Sequence, residues 1–131
     1  MNKLKYAADI KAWIKRAEDD VKWGRVSLKG KFYPQTCFIA QQIAEKALKA
    51  YLLSKEKIPP KTHSLPYLLN LCDKFHSGFS SFRKIGEVLD KYYAPARYPD
   101  VNFAGEYTEK SAQEALDLAL KVLGFVKKEI F

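Results

Sequence analysis

Apolar residues recur at helical spacing along most of the chain, and polar residues fill the opposite faces. The first such stretch runs from Tyr6 to about Leu28, with Asp, Lys and Arg opposite its apolar positions. Those apolar positions are Tyr6, Ile10, Trp13, Ile14, Ala17, Val21 and Leu28. The pattern predicts a first helix, which Gly30 ends before Pro34 begins the next element.

The second predicted helix, from about Gln35 to Lys55, has the clearest apolar face. This face comprises Ala40, Ile43, Ala44, Ala47, Leu48 and Tyr51. Because its three alanines are small, a neighbouring helix can approach closely, and we expect this helix at the centre of a bundle. Its polar stripe comprises Gln42, Glu45, Lys46 and Lys49. Two consecutive prolines then stop the helix.

Two shorter helices are predicted next. Ser64 is placed to cap a third helix that closes near Gly78, and Ser80 or Ser81 is placed to cap a fourth. The inward face of the fourth helix is predicted to be Phe82, Ile85, Leu89 and Tyr92.

Helical periodicity disappears between Ala94 and Tyr107, which predicts a long ordered loop, and loops of this length usually serve a function. The last helix is expected to begin near Thr108 or at a capping box from Ser111 to Glu114. No strand pattern occurs in the sequence. We therefore predict an all-α fold, an up-and-down bundle of four to five helices, in a single domain over residues 1–131.

The charge of the chain suggests its partners. Lys and Arg number 23 against 15 Asp and Glu, a net charge of +8 that favours phosphate-bearing ligands or an acidic protein. Part of this charge could instead serve stability or solubility. No apolar run is long enough to cross a bilayer, so we expect a cytoplasmic protein without a membrane partner.

Several kinds of site are not expected. The sequence contains neither a Walker-type nor a dinucleotide-binding glycine motif, and its only Cys and His residues, Cys37, His63, Cys72 and His76, lack the close spacing of a structural zinc site. We therefore expect no metal and no cofactor. Cys37 and Cys72 are predicted to be buried free thiols. The carboxylates of Asp19, Asp20 and Glu45 are expected to be solvated or paired along their helices.

The predicted loop carries the most suggestive chemistry, in the string Arg97-Tyr98-Pro99-Asp100. The Arg97 guanidinium suits phosphate, while Tyr98, with Tyr92 and Tyr93 nearby, offers rings for base stacking. In the alternative interpretation, Arg97 and Asp100 form ion pairs that fasten the loop to the bundle. The sequence leaves both interpretations open.

Other candidate binding residues lie on or near the helices. Lys22, Arg25 and Lys29 point the same way on the first helix, where they could contact nucleic acid or simply favour the helix dipole. Lys46 belongs to the polar stripe of the second helix and adds a cation. His63, just before the third helix, is a further candidate, although a capping or orienting role would also explain it.

Three strings together resemble the HEPN family, the higher-eukaryote and prokaryote nucleotide-binding domains. They are the run from Cys37 to Leu52 with its core Ala44-Glu45-Lys46-Ala47-Leu48-Lys49, the string His63-Ser64-Leu65, and the stretch from Tyr93 to Pro99. The resemblance covers nearly the whole chain. It implies an all-α bundle, commonly a homodimer, linked to nucleotide or RNA chemistry. It also implies a minimal nucleotidyltransferase partner, in a pair of the toxin–antitoxin type.

The family members that cut RNA carry an Arg followed, after a short spacer, by a His. Arg97 matches the first position, but no His follows His76 in this sequence. Histidine suits acid and base catalysis because it titrates near neutrality, and neither Asp100 nor Asn102 replaces it simply. The resemblance therefore implies binding of a nucleotide or phosphate at Arg97 and Tyr98 without implying ribonuclease activity.

Three functions stay open on the sequence. The first is a non-catalytic module that binds a nucleotide or RNA phosphate, or that docks the nucleotidyltransferase, through Arg97, Tyr98 and Asp100 with Tyr93, Lys46 and His63 nearby. The second is a metal-independent ribonuclease with a degenerate motif, in which His63 supplies the missing imidazole. The third is an interaction protein whose loop is structural. Whether the chain is an enzyme is undecided.

Overall fold

The computed structural model describes residues 5–94, 98–99 and 107–131. Within those ranges the chain forms five α-helices and one 3₁₀ helix, and no strand. The α-helices are α1 (Ala7–Lys29), α2 (Tyr33–Ser54), α3 (Leu65–Asp73), α4 (Arg83–Asp90) and α5 (Glu109–Ile130), and the 3₁₀ helix is Ser77–Phe82. The predicted all-α bundle is confirmed. Among these helices, none has the length and apolar character that crossing a bilayer requires.

Helix α2 lies at the centre of the bundle, as its small residues predict. Helices α1 and α5 pack along it, and α3 and α4 cover the remaining side. Ala40, Ala44 and Ala47 are all fully buried there. Because these alanines leave room for close approach, α2 can contact two long helices at once.

The turn between α1 and α2 needs its glycine for space. The ring of Phe32 lies so close to Gly30 that a Cβ at that position would stand 2.9 Å from it. The left-handed residue of the turn is Lys31, with φ of 66°, whereas Gly30 keeps a right-handed conformation. Gly30 therefore ends α1 as predicted. A glycine is needed there because the Phe32 ring occupies the space that a side chain would take.

The starts of the short helices agree only partly with the predictions. The Ser64 hydroxyl accepts from the Tyr67 amide at 3.3 Å, so the predicted cap of α3 is confirmed. The predicted cap of the fourth helix at Ser80 or Ser81 is wrong. These hydroxyls donate to carbonyls of the 3₁₀ helix, and α4 begins afterwards, at Arg83, without a side-chain cap.

Helix α5 begins at the first of its two predicted positions. Thr108 is the N-cap, and its side chain accepts from the Ser111 amide at 3.0 Å while the Ser111 hydroxyl accepts from the Thr108 amide at 2.8 Å. This reciprocal pair is a capping box one turn before the alternative that began at Ser111. Only Tyr107 and Thr108 therefore lie between α5 and the undescribed residues 100–106.

Both cysteines are buried free thiols, as predicted. Burial raises the pKa of the Cys37 thiol to about 11 and that of the Cys72 thiol to about 12. Both thiols are therefore protonated at neutral pH and belong to the core.

Candidate functional site

Two aromatic rings stack where α2, the start of α3 and the end of α4 meet. The imidazole of His63 and the phenol ring of Tyr93 have centroids 4.2 Å apart and planes inclined by 19°. The Tyr93 ring also lies 5.9 Å from that of Phe38 on α2. His63 stands directly before the Ser64 cap of α3, and Tyr93 follows α4, so the helix ends place the two rings together.

A buried carboxylate orients the imidazole. Glu45 Oε1 lies 3.0 Å from His63 Nδ1, and the Glu45 side chain is 5% exposed whereas that of His63 is 54% exposed. Because an ionised carboxylate only accepts hydrogen bonds, we assign the hydrogen to Nδ1. In this tautomer, Nε2 carries no hydrogen and can accept a hydrogen bond.

Glu45 is the centre of a polar cluster, the α2 cluster, that also contains Gln41, Lys49 and His63. Lys49 Nζ donates to Glu45 Oε2 at 3.1 Å. Gln41 Nε2 lies 2.9 Å from the backbone oxygen of His63 and 3.3 Å from Glu45 Oε1. The buried carboxylate therefore has a cation and hydrogen-bond donors around it, as burial of a charge requires.

Lys46 is held separately from the stacked rings. Its ammonium pairs with the carboxylate of Asp20 on α1, and the two side chains are 22% and 12% exposed. Asp19, one residue earlier, instead pairs along α1 with Lys15 at 2.6 Å. The predicted pairing along the helix is confirmed for Asp19 and, through Lys49, for Glu45, but Asp20 pairs between helices.

A groove runs beside the stacked rings. Its lining residues are His63, Ser64, Asp90, Lys91, Tyr93 and Ala94. Asp90 Oδ1 accepts from the Leu65 amide at 2.9 Å, so this carboxylate holds the start of α3. Lys91 is exposed and adds a cation to the groove.

The predicted loop begins at the end of this groove. The Tyr98 amide donates to the Ala94 oxygen at 3.1 Å, and the Tyr98 side chain is exposed. Arg97 and Asp100 lie outside the described residues. The backbone of Tyr98, the neighbour of Arg97 in sequence, is thus within one hydrogen bond of a groove residue.

Of the predicted binding residues, the structure brings His63 and Tyr93 into contact and places Tyr98 beside the same groove. Sequence reasoning missed the role of Glu45 under His63 and the cation of Lys91. The spacing of Glu45 and Lys49 signals a pair along one helix. Nothing local to the sequence signals that His63 reaches the same carboxylate, because 18 residues separate the two positions.

The other basic feature lies away from this groove. Lys22, Arg25 and Lys29 are exposed on α1, as their spacing predicts. Arg25 and Lys29 line a second groove, in which Glu109 and Asp117 of α5 also take part. The cations there face carboxylates, so this surface carries mixed charge. In the part of the chain that is described, no three His, Cys, Asp or Glu residues come together as metal ligands.

A sequence model of the HEPN domain matches residues 10–130. The chain therefore belongs to the HEPN family. The family resemblance drawn from the sequence is confirmed, and so is the fold class that it implies.

Relatives span most of the chain. A Methanocaldococcus jannaschii protein named "Putative toxin MJ1304" is 30% identical over 136 aligned positions, covering 95% of this chain and 88% of the relative. The crystal structure of TT1696 from Thermus thermophilus matches with a TM-score of 0.83 at 37% identity, covering 91% of this chain and 96% of that one. The crystal structure of ST0689, an archaeal HEPN homologue, matches with a TM-score of 0.76 at 36% identity, covering 93% and 98%.

Proposed function

We propose that this chain binds a nucleotide or an RNA phosphate without cutting it, as the HEPN member of a toxin–antitoxin type pair. The observation that carries the proposal is the stack of His63 on Tyr93, with the imidazole more than half exposed beside a groove that contains Lys91. Exposed aromatic faces bind bases by stacking, and nearby cations bind the phosphates.

Arg97 completes this site in the proposal. A guanidinium makes two parallel hydrogen bonds to a phosphate, and Arg97 directly precedes Tyr98, whose amide is bonded to the groove residue Ala94. The base would lie against the rings, and Lys91 and Arg97 are the candidate ligands of the phosphate. The net charge of +8 adds a general attraction for polyanions.

Titration with nucleotides and short RNAs at two salt concentrations tests the proposal. Wild-type protein is expected to bind saturably, and more weakly at the higher salt. Arg97→Ala is expected to weaken binding about tenfold, the value of one good phosphate contact. Arg25→Ala, which removes the same charge from the mixed-charge surface on α1, serves as the control. The proposal fails if no ligand binds or if the two variants weaken binding equally.

The expected partner is a minimal nucleotidyltransferase. The family resemblance and the toxin name of the M. jannaschii relative support a paired system. We expect a small nucleotidyltransferase gene beside the gene for this chain, and a complex of the two purified proteins in size-exclusion chromatography with light scattering. The same measurement reports whether this chain alone is the expected homodimer. Separate elution of the two proteins at micromolar concentration would contradict the pairing.

One observation favours a second candidate, a ribonuclease. The buried Glu45 carboxylate lies 3.0 Å from His63 Nδ1 while the ring is 54% exposed, and a carboxylate in this position is how a catalytic imidazole is oriented. Labelled RNA incubated with the protein in chelator would then be cut, and His63→Ala would abolish the cleavage. Intact RNA at high protein concentration rules this candidate out and leaves the binding proposal standing.

A further inference from the structure

Another groove, here called the Trp13 groove, contains an aromatic ring and a cation and lies on the other side of the α2 cluster. It is lined by Asp9, Ala12, Trp13, Arg16 and Lys46. Trp13 is partly exposed and Arg16 is exposed, and their spacing of three places both on the same edge of α1. The groove is open, so its ring and its guanidinium are accessible together.

Direct contacts join the two grooves. Lys49 Nζ lies 5.6 Å from the centre of the Trp13 ring and donates to Glu45 at 3.1 Å. Glu45 in turn lies 3.0 Å from His63, which stacks on Tyr93. A chain of contacts through the buried α2 cluster therefore links the two aromatic platforms.

Stacking is the interaction that the Trp13 groove offers best. Asp9 offsets the charge of Arg16 there, and Asp20 offsets that of Lys46, so a bulk positive potential is not its main attraction. An indole face with a guanidinium beside it is instead suited to one base and its phosphate. A single nucleotide at His63 and Tyr93 would leave this groove empty, whereas a strand of several nucleotides would reach both.

We propose that Trp13 and Arg16 form a second nucleotide subsite and that the ligand is single-stranded RNA, several nucleotides long. This inference rests on the proposed function, because it takes the groove at His63 and Tyr93 as the first subsite. Lys49 fixes the Trp13 ring from the side of the cluster, and the outer part of the indole meets the second base.

The length dependence of binding tests the second subsite. We expect oligoadenylates of increasing length, up to the hexamer, to bind at least tenfold more tightly than AMP, because a second base stacks on Trp13. Arg16→Gln is expected to weaken hexamer binding about tenfold and to leave AMP binding unchanged. Arg25→Gln, another exposed arginine of α1, is the matched control and should affect AMP and hexamer alike.

The two failures are distinguishable. If AMP binds as tightly as the hexamer, or if Arg16→Gln and Arg25→Gln have the same effect, the second subsite is wrong and the first stands. If neither ligand binds, the proposed function fails first.

Fluorescence places the base on the indole directly. The chain has two tryptophans, and Trp23 is exposed, so Trp23→Phe leaves Trp13 as the reporter without disturbing the core. We expect the hexamer to quench Trp13 saturably, with the same midpoint as the anisotropy of a labelled hexamer, and AMP to quench it little. Unchanged fluorescence while the anisotropy reports binding would overturn the subsite.

Discussion

Glu45 holds a lysine, a glutamine and a histidine around one buried carboxylate. Its side chain is 5% exposed and that of Lys49 is 9% exposed, so neither charge is solvated well enough to stand alone. The pair therefore matters less for its own attraction than for the cost of leaving one partner uncompensated. The Glu45 carboxylate also sets the tautomer of the exposed His63.

Glu45→Gln should destabilise the protein strongly. The substitution keeps the shape of the side chain but leaves Lys49 buried without its counter-charge, so the free energy of unfolding should fall by about 3 kcal/mol. Urea denaturation followed by circular dichroism measures this loss. Asp19→Asn is the control, because its pair with Lys15 is exposed and should contribute little. Equal stabilities of the two variants would show that the cluster is not a buried ion pair.

The thiols of Cys37 and Cys72 should be unreactive in the folded protein. Burial raises their pKa values from the usual 9.0 to about 11 and about 12, so neither forms thiolate at pH 8. Their contribution to stability is present below pH 9 and is lost as the pH rises toward those values. Native protein at pH 8 should resist iodoacetamide, whereas protein in urea should take up two equivalents.

A surface thiol provides the control for this reaction. Ser81 is exposed, so Ser81→Cys should be alkylated in the native protein while the two natural cysteines are not. If Cys37 or Cys72 reacts as fast as the introduced thiol, the burial described for it is wrong.

At the scale of the helices, two glycines have opposite surroundings: one lies in a closely packed interface and the other on an open face. A Cβ at Gly24 of α1 would stand 3.1 Å from a Leu116 methyl group of α5 and 3.3 Å from an Ile39 methyl group of α2. At Gly124 of α5 a Cβ would meet nothing within 4 Å. The first glycine lies where three helices meet, and the second lies on an exposed face.

The same substitution should therefore have different effects at the two sites. Gly124→Ala should raise the free energy of unfolding by about 1 kcal/mol, because alanine favours helix and nothing obstructs it. Gly24→Ala should lack this gain, since its new methyl group has to displace Leu116 and Ile39. Thermal denaturation of both variants compares them. A gain of the same size at Gly24 would contradict the close approach of α1, α2 and α5.

The helices could be predicted from the sequence because their signals are local. Apolar spacing placed α1, α2 and α5 to within about two residues, Ser64 caps α3 as expected, and α5 starts near Thr108, one of the two expected positions. The signal failed at Ser80 and Ser81, where a 3₁₀ helix absorbs both hydroxyls before α4 begins. A Ser before an apolar run does not distinguish these two helix types.

For the whole molecule, the candidate site was predictable only in its parts. His63 and Tyr93 could be chosen by residue type, but the carboxylate beneath His63 belongs to a helix whose polar residues are expected, from local spacing, to be solvated or paired along the helix. His63 reaches Glu45, and Trp13 of α1 meets Lys49, only once the bundle has formed. Burial of Glu45 is thus a consequence of tertiary packing, which spacing along one helix does not encode.

The overall positive charge of the molecule favours binding of a polyanion at long range. A net charge of +8 on 131 residues attracts any polyanion, whereas the two aromatic platforms lie at defined places, beside His63 and beside Trp13. Charge alone would therefore produce binding spread over the molecule, and the grooves would concentrate it. A site-resolved measurement distinguishes binding spread over the molecule from binding in the two grooves.

The two histidines of the chain allow that measurement. His63 lies in the proposed site, and His76 lies elsewhere, where its Nδ1 accepts from the Gly78 amide at 2.9 Å and its ring meets Phe125 edge-on. Imidazole NMR resonances should be followed while a short single-stranded RNA is added. The account predicts that the His63 signals shift saturably while those of His76 stay in place. RNA that binds without moving His63, or that moves His76 instead, would contradict it.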